Sequence, residues 1–226
     1  MLQNIINFWK GKDYLTKVMK EFESMLLDVE NMYVSVREAL IKGHEEEGLR
    51  QKIYDMDKRI NQIEKDIRTQ IVEHLSLQPA VNLPVSLVLM SVVKDAERLG
   101  DYAKNLYEVK GLLEQPLNRD LFQSYFGRTD KNIISLIGKT RKAFIQSNET
   151  EARELAILER EIVQNCEAAI KKLAKGDLSS NLSVCFTLMA RHYKRTAAHL
   201  LNIGTAVIKP LNELDFFDEK NDMPVE

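Results

Sequence analysis

Little in this chain would break a helix. Its 226 residues include nine glycines and five prolines, too few for the turn-rich pattern of a β-sandwich or barrel. The two cysteines, Cys166 and Cys185, form no CxxC pair, which removes a disulfide framework and the cysteine-based zinc patterns. Both fall on apolar helical stripes, where buried thiols of a reducing cytosol belong. No stretch reaches the ~18 apolar residues needed to cross a bilayer. The start, Met1 to Lys12, is interrupted by Asn4, Asn7 and Lys10 and lacks the continuous core of a signal peptide. The expected location is therefore cytoplasmic. A basic excess is also missing: the formal net charge is -2, which argues against a general nucleic-acid binder. There is no glycine-rich phosphate loop, no nucleophile elbow and no grouping of Ser, His and Asp into a triad.

What is present is helical periodicity. The hydrophobic fraction is 44% and the charged fraction 29%, as in a soluble, well-cored protein. Leu15, Phe22, Val29 and Val36 lie seven apart with Val18, Met25, Met32 and Ala39 between them, which predicts a long first helix over 13–42, stopped at Gly43. Ile53, Met56, Ile60, Ile63, Ile67 and His74 mark a second helix over 45–75. After Gln78-Pro79, Asn82 and Pro84 are suited to opening a third, whose inward residues are Val85, Val88, Val92, Leu99 and Leu106. Beyond Gln115-Pro116 the plan repeats. Phe122, Tyr125 and Phe126 lead into a helix with Ile133, Ile137 and Phe144 inside. Leu155, Leu158, Ile162, Ala169 and Leu173 mark the next, and Cys185, Leu188, His192, Thr196, His199 and Ile203 the last.

The fold class expected is all-α, two tandem antiparallel three-helix bundles in a pseudo-repeat. The segments are an apolar N-terminal stretch (1–12), a first bundle (13–114), a second bundle (121–209) and an acidic tail (210–226). Between Glu213 and Glu226 that tail carries six acidic side chains and one lysine, a solvated composition. Leu2, Ile5, Ile6, Phe8 and Trp9 could fold back on the first bundle or face a dimer mate or membrane protein.

Lys94 to Leu106 carries the most information. Glu97, Asp101 and Asn105 recur every four residues and form one acidic ridge on a helix. Gly100 lies inside it, although glycine costs a helix roughly 1 kcal/mol against alanine. Carboxylates so grouped favour hard or borderline cations, Mg²⁺, Ca²⁺, Mn²⁺ or iron, which would relieve their mutual repulsion. The alternative is a solvated face whose acids pair with Lys94, Arg98 and Lys104. His192 and His199, seven apart, would be ~10.5 Å from each other along a helix, too far to share one ion directly. No Glu-x-x-His pair in matching helices marks a redox or storage bundle.

Three elements in order resemble the PhoU family of phosphate-uptake regulators. D-x-x-I-N-x-x-E reads Asp57 to Glu64, with Ile60 and Asn61. Q-P-x-A-x-(D/N)-L reads Gln78-Pro79-Ala80-Val81-Asn82-Leu83, one residue short. E-R-(I/L)-G-D-x-A-x-N reads Glu97-Arg98-Leu99-Gly100-Asp101-Tyr102-Ala103-Lys104-Asn105. In the second half, A-R-x-x-E-R-x-x-D-H-x-x-N-I reads Ala190 to Ile203, with Lys194 for the glutamate and Ala198 for the aspartate. Glu159, Ile162, Val163 and Cys166 stand where the first half has Asp57, Ile60, Asn61 and Glu64. The resemblance implies a non-catalytic regulator of phosphate transport or signalling that binds a phosphate transporter, a sensor histidine kinase, or both. It implies a divalent metal or iron cofactor on the first bundle, with Glu97 and Asp101 as ligands and Asp57, Asn61 and Glu64 facing them. Binding at Lys194 and Ala198 should be lost, since an ammonium offers no lone pair and alanine no ligand. A homodimer, peripheral to the inner face of the membrane through the transporter, is expected by analogy. The divergent second half leaves two other roles open: partner of a sodium-phosphate cotransporter, or a helical scaffold without metal.

Overall fold

A computed structural model describes residues 12–214, with side chains from Tyr14 onward. The 1–11 stretch and the tail beyond 214 lie outside the described residues. Within them there are seven α-helices and a closing 3-10 turn: α1 (Lys12–Ile41), α2 (Leu49–Leu77), α3 (Leu83–Leu112), α4 (Arg119–Phe126), α5 (Thr129–Ile145), α6 (Glu149–Leu173), α7 (Ser180–Thr205) and Leu211–Glu213. No strand occurs among the described residues.

The long helices form where the apolar periodicity lies. All eight seam residues of α1, from Leu15 to Ala39, are buried. Fully burying side chains of this kind contributes about 1.5–3 kcal/mol each. Gly43, at φ 70°, ends α1 as expected, and the His44 N–H reaches back to the Glu38 carbonyl at 3.0 Å, satisfying one of the orphan carbonyls.

Three local expectations are corrected. Asn82 precedes α3, with Pro84 in its first turn, but sits in the left-handed region at φ 58° and makes no side-chain cap. The segment from Phe122 is not a lead-in to one helix. It is a separate short helix, α4, capped by Asn118, whose Oδ1 accepts from the Leu121 N–H at 2.9 Å. Gly127, at φ 56°, ends α4 with a backbone that L side chains rarely adopt. On α7, Leu188, His192 and His199 are only partly buried. The buried face there is broader and includes Phe186, Met189, Ala190, Tyr193, Ala197, Leu200 and Leu201, because α7 packs on α3, α5 and α6 together.

Helices α1, α2 and α3 pack on one another as one bundle, and α5, α6 and α7 as a second, with α4 laid on α6. The bundles join side by side along α1–α5 and α3–α7, and their buried side chains form one continuous core. Polar contacts fasten this seam. Arg37 Nε donates to Asp130 Oδ2 at 2.5 Å. Thr196 gives its hydroxyl proton to the His192 carbonyl, so Tyr33, 2.5 Å away, is the donor to Thr196 Oγ1.

Candidate functional site

The ridge on α3 faces α2. A Cβ built on Gly100 would lie 3.0 Å from Ile60 Cδ1, so glycine is what lets the two helices approach here. That approach brings the acids of both helices together. Burial pushes the Glu97 carboxyl above its usual range, with Asp101, Glu64 and Asp57 adding repulsion and Arg98 opposing it.

Lysine and arginine side chains stand among these acids. Lys104 Nζ lies 2.8 Å from Asp57 Oδ2 on α2 and 3.2 Å from Asp101 Oδ1 on α3. Burial pulls its pKa down, but the two carboxylates outweigh that and hold it above the ordinary lysine value. Arg98 lies 3.2 Å from Asp101 and 3.6 Å from Glu97. Arg68 lies 3.0 Å from Glu64. Asp57 is 7% exposed, and its Oδ1 is buried without a hydrogen-bond partner among the described residues.

Asp57, Glu64, Glu97 and Asp101 therefore share one region. As arranged, they do not fit a metal ion. No three His, Cys, Asp or Glu side chains among the described residues come together to hold one, and an ammonium sits between two of the carboxylates. No polar contact draws Asn61 into the group. The reading of the ridge as acids paired with Arg98 and Lys104 matches this geometry, whereas Lys94 makes no contact with it.

The second bundle places its counterparts similarly with different chemistry. Lys194, at the Glu97 position, pairs across α6–α7 with Glu167 at 2.5 Å and draws that carboxyl below its usual range. Burial pushes the Cys166 thiol up to about 12, with Lys194 opposing. Cys166 and Lys194 are thus neighbours, as Glu64 and Glu97 are. Ala198 offers no ligand, and Val163 replaces Asn61.

A second polar group, at the α3–α7 seam, was not anticipated. Asp95, 1% exposed, is 2.8 Å from His199 Nδ1 through Oδ1. Its Oδ2 has no partner among the described residues. Tyr102 lies against both His192 and His199, with ring centroids 5.9 and 5.7 Å away, and accepts from Arg195 Nε at 2.6 Å. Burial, with Arg191 and Arg195, lowers the His192 pKa. The sequence held one signal: Val88, Val92, Asp95, Leu99, Tyr102 and Leu106 continue a 4-3-4-3-4 stripe.

Comparison with known proteins follows this geometry. Residues 22–109 match the PhoU domain family model. A Synechocystis PhoU homolog is 30% identical over 104 residues, 43% of this chain and 46% of that protein; the match thus spans about half the relative's length. The Thermotoga maritima PhoU homolog 1 is 22% identical over 205 residues, 84% of this chain and 86% of that protein. The PhoU crystal structure from Pseudomonas aeruginosa superposes with a TM-score of 0.76 at 22% identity, covering 88% of this chain and 97% of that one. PhoU from Streptococcus pneumoniae gives 0.74 at 21%, covering 86% and 93%. Tandem helical bundles joined side by side thus define a protein of the PhoU fold. Its first bundle carries the matched PhoU domain, and the described helices as a whole share the fold of the solved PhoU structures.

Proposed function

We propose that this protein is a non-catalytic accessory regulator of phosphate transport, acting by binding a phosphate transporter or its sensor kinase. The observation that carries this reading is the alignment over 205 residues with a Thermotoga maritima protein named as a phosphate-specific transport system accessory protein. The geometry is consistent with a binding role. The acids of the ridge are engaged by lysine and arginine rather than poised around a reacting group. Among the described residues no helix is long and apolar enough to cross a membrane, so contact with a transporter would be made from its surface. The α2–α3 hairpin offers such a surface: Val72, Leu77, Leu83 and Leu87 are exposed there, Leu77 at 82%. Apolar side chains left in water on one end of a bundle are suited to a protein partner. Regulation would follow from a difference in affinity for two states of that partner. A homodimer at the cytoplasmic face of the membrane fits the same reading.

The test is deletion of the gene in its own host, followed by radiolabelled phosphate uptake and phosphate-starvation gene expression. A change in either, restored by the full chain, supports the reading. Unchanged uptake and unchanged expression at both low and high phosphate would remove it.

A further inference from the structure

We propose that the apolar end of the α2–α3 hairpin is the docking site of this chain's own N-terminal segment, residues 1–11, which a partner must displace to reach the same surface. Val72, Leu77, Leu83 and Leu87 make up that end, and all four are exposed. Leu77 is the last residue of α2 and Leu83 the first of α3, so a segment laid across the hairpin meets both helices.

The place where the chain enters the bundle selects the occupant. α1 starts at Lys12. Two residues on, the Tyr14 ring stacks on the His74 ring of α2, with centroids 3.9 Å apart, and Ser86 of α3 lies beside its hydroxyl. Residues 1–11 therefore join the bundle at the end that carries the exposed apolar side chains. Val72 and Leu77 lie about 3 and 4.5 Å from His74 along the helix axis. A segment of this length reaches about 16 Å as a helix and about 36 Å when extended, so that end is within its span in either form.

Composition selects the same occupant. Leu2, Ile5, Ile6 and Trp9 are spaced i, i+3, i+4, i+7, the pattern of one apolar helical face, and Phe8 adds a second ring. Gly11 separates this run from α1 and permits the change of direction that docking needs. A lipid surface calls for basic residues along the polar face, whereas here Gln3, Asn4 and Asn7 accompany a single lysine, Lys10. A second copy of the chain has to compete with a tether whose effective concentration is on the order of millimolar.

The docking stands on these observations alone. Its consequence, exchange of the segment for a transporter or kinase, rests on the regulatory reading. The segment is then a built-in competitor, and the partner's apparent affinity scales with the fraction of chains whose surface is free.

Trp9 is the single tryptophan of the chain, so its fluorescence reports on the segment. The experiment is Trp9 emission and acrylamide quenching in the full chain, with wild type beside Leu77→Gln/Leu83→Gln. In wild type the emission should be blue-shifted from that of free tryptophan and quenched severalfold more weakly, at every protein concentration. In the variant both should move to the free values with helical circular dichroism unchanged, because the altered side chains are exposed. Should that variant lose its dichroism, Val72→Gln/Leu87→Gln takes its place. Leu2→Gln/Ile5→Gln, which leaves every bundle residue intact, should release Trp9 as well. Wild-type emission and quenching equal to those of free tryptophan would overturn the proposal. So would shielding that survives either kind of double variant, that grows with protein concentration (a second copy), or that arises only with phosphatidylethanolamine–phosphatidylglycerol vesicles (a lipid surface). None of these readouts involves a transporter or kinase, so failure here leaves the regulatory reading standing.

Discussion

The two bundles share a plan and differ in what fills it. The first is lined by aliphatic side chains at its α2–α3 contact, Ile53, Ile60, Ile67 and Ile71 against Val85, Val92 and Leu99, all buried. The second is built around aromatic rings. Phe186 meets Phe122, Tyr125 and Phe126 edge-on at 6.4, 5.3 and 5.4 Å, and Phe126 meets Tyr193. The ridge differs as well. In the first bundle a crowded glutamate and aspartate face acids on α2, with Lys104 on the aspartate and Arg98 on both. In the second a lysine has replaced the glutamate and pairs with Glu167. The lesson is that one helix geometry tolerates opposite charge at equivalent positions, provided each half supplies its own counter-ion.

The largest effect expected is on the aromatic core. Phe186→Ala should cost about 3–5 kcal/mol, whereas Ile60→Val in the first bundle should cost about 0.5–1.5 kcal/mol. Urea denaturation compares them, and equal losses would break the distinction between the two cores. Next is the seam between the bundles. His199→Ala removes the partner of buried Asp95 and should cost about 1.5–3 kcal/mol at neutral pH, the range for hydrogen bonds to charged groups. Most of that loss should return in Asp95→Asn/His199→Ala, and a double variant no more stable than the single one would show that the carboxylate is not the cause.

The smallest effects sharpen the charge comparison through their signs. Glu97 has its folded pKa raised, first by burial. Its charged form is disfavoured in the folded protein, so it subtracts stability above that pKa and the penalty fades as pH falls through it. Glu97→Gln should therefore stabilise at neutral pH, with the gain vanishing on acidification. Glu167 has its folded pKa lowered, first by the Lys194 hydrogen bond. Its contribution is present above the unfolded pKa and is lost as pH falls through the folded one. Glu167→Gln should destabilise at neutral pH by a few tenths to about 1 kcal/mol, since the pair is half exposed, and the loss should fade in acid. Thermal unfolding of the two variants across pH 3 to 7 (~4 units spanning the carboxylate range) reads both slopes. Slopes of the same sign would contradict the comparison.

Much of the fold was legible because apolar spacing along a helix reports burial directly. Every seam residue chosen on α1 is buried, as are Val85, Val88, Val92, Leu99 and Leu106 on α3. The α4–α5 break was missed because it depends on Gly127 adopting a positive φ, which apolar spacing does not encode. The α7 stripe was drawn too narrow because a helix touching three others buries more than one face. For the site, the spacing put Glu97 and Asp101 on one helix face, while Asp57, Asn61 and Glu64 came from the family resemblance; Asp57 and Glu64 lie beside that face. Periodicity says which residues share a face, not what meets them. The bridging role of Lys104, and the pairing of Asp95 with His199 across 104 positions, needed the fold.

α3 borders both bundles, with Lys104 and Asp101 turned to α2 and Asp95 and Tyr102 turned to α7. The two repeats are therefore not separable modules. Severing the chain at the connection between α3 and α4 would strip Asp95, Tyr102 and the apolar residues around them of their cover, and neither half would keep a closed interior. The protein should melt in a single cooperative step rather than two, and the most slowly exchanging amides should lie along α3.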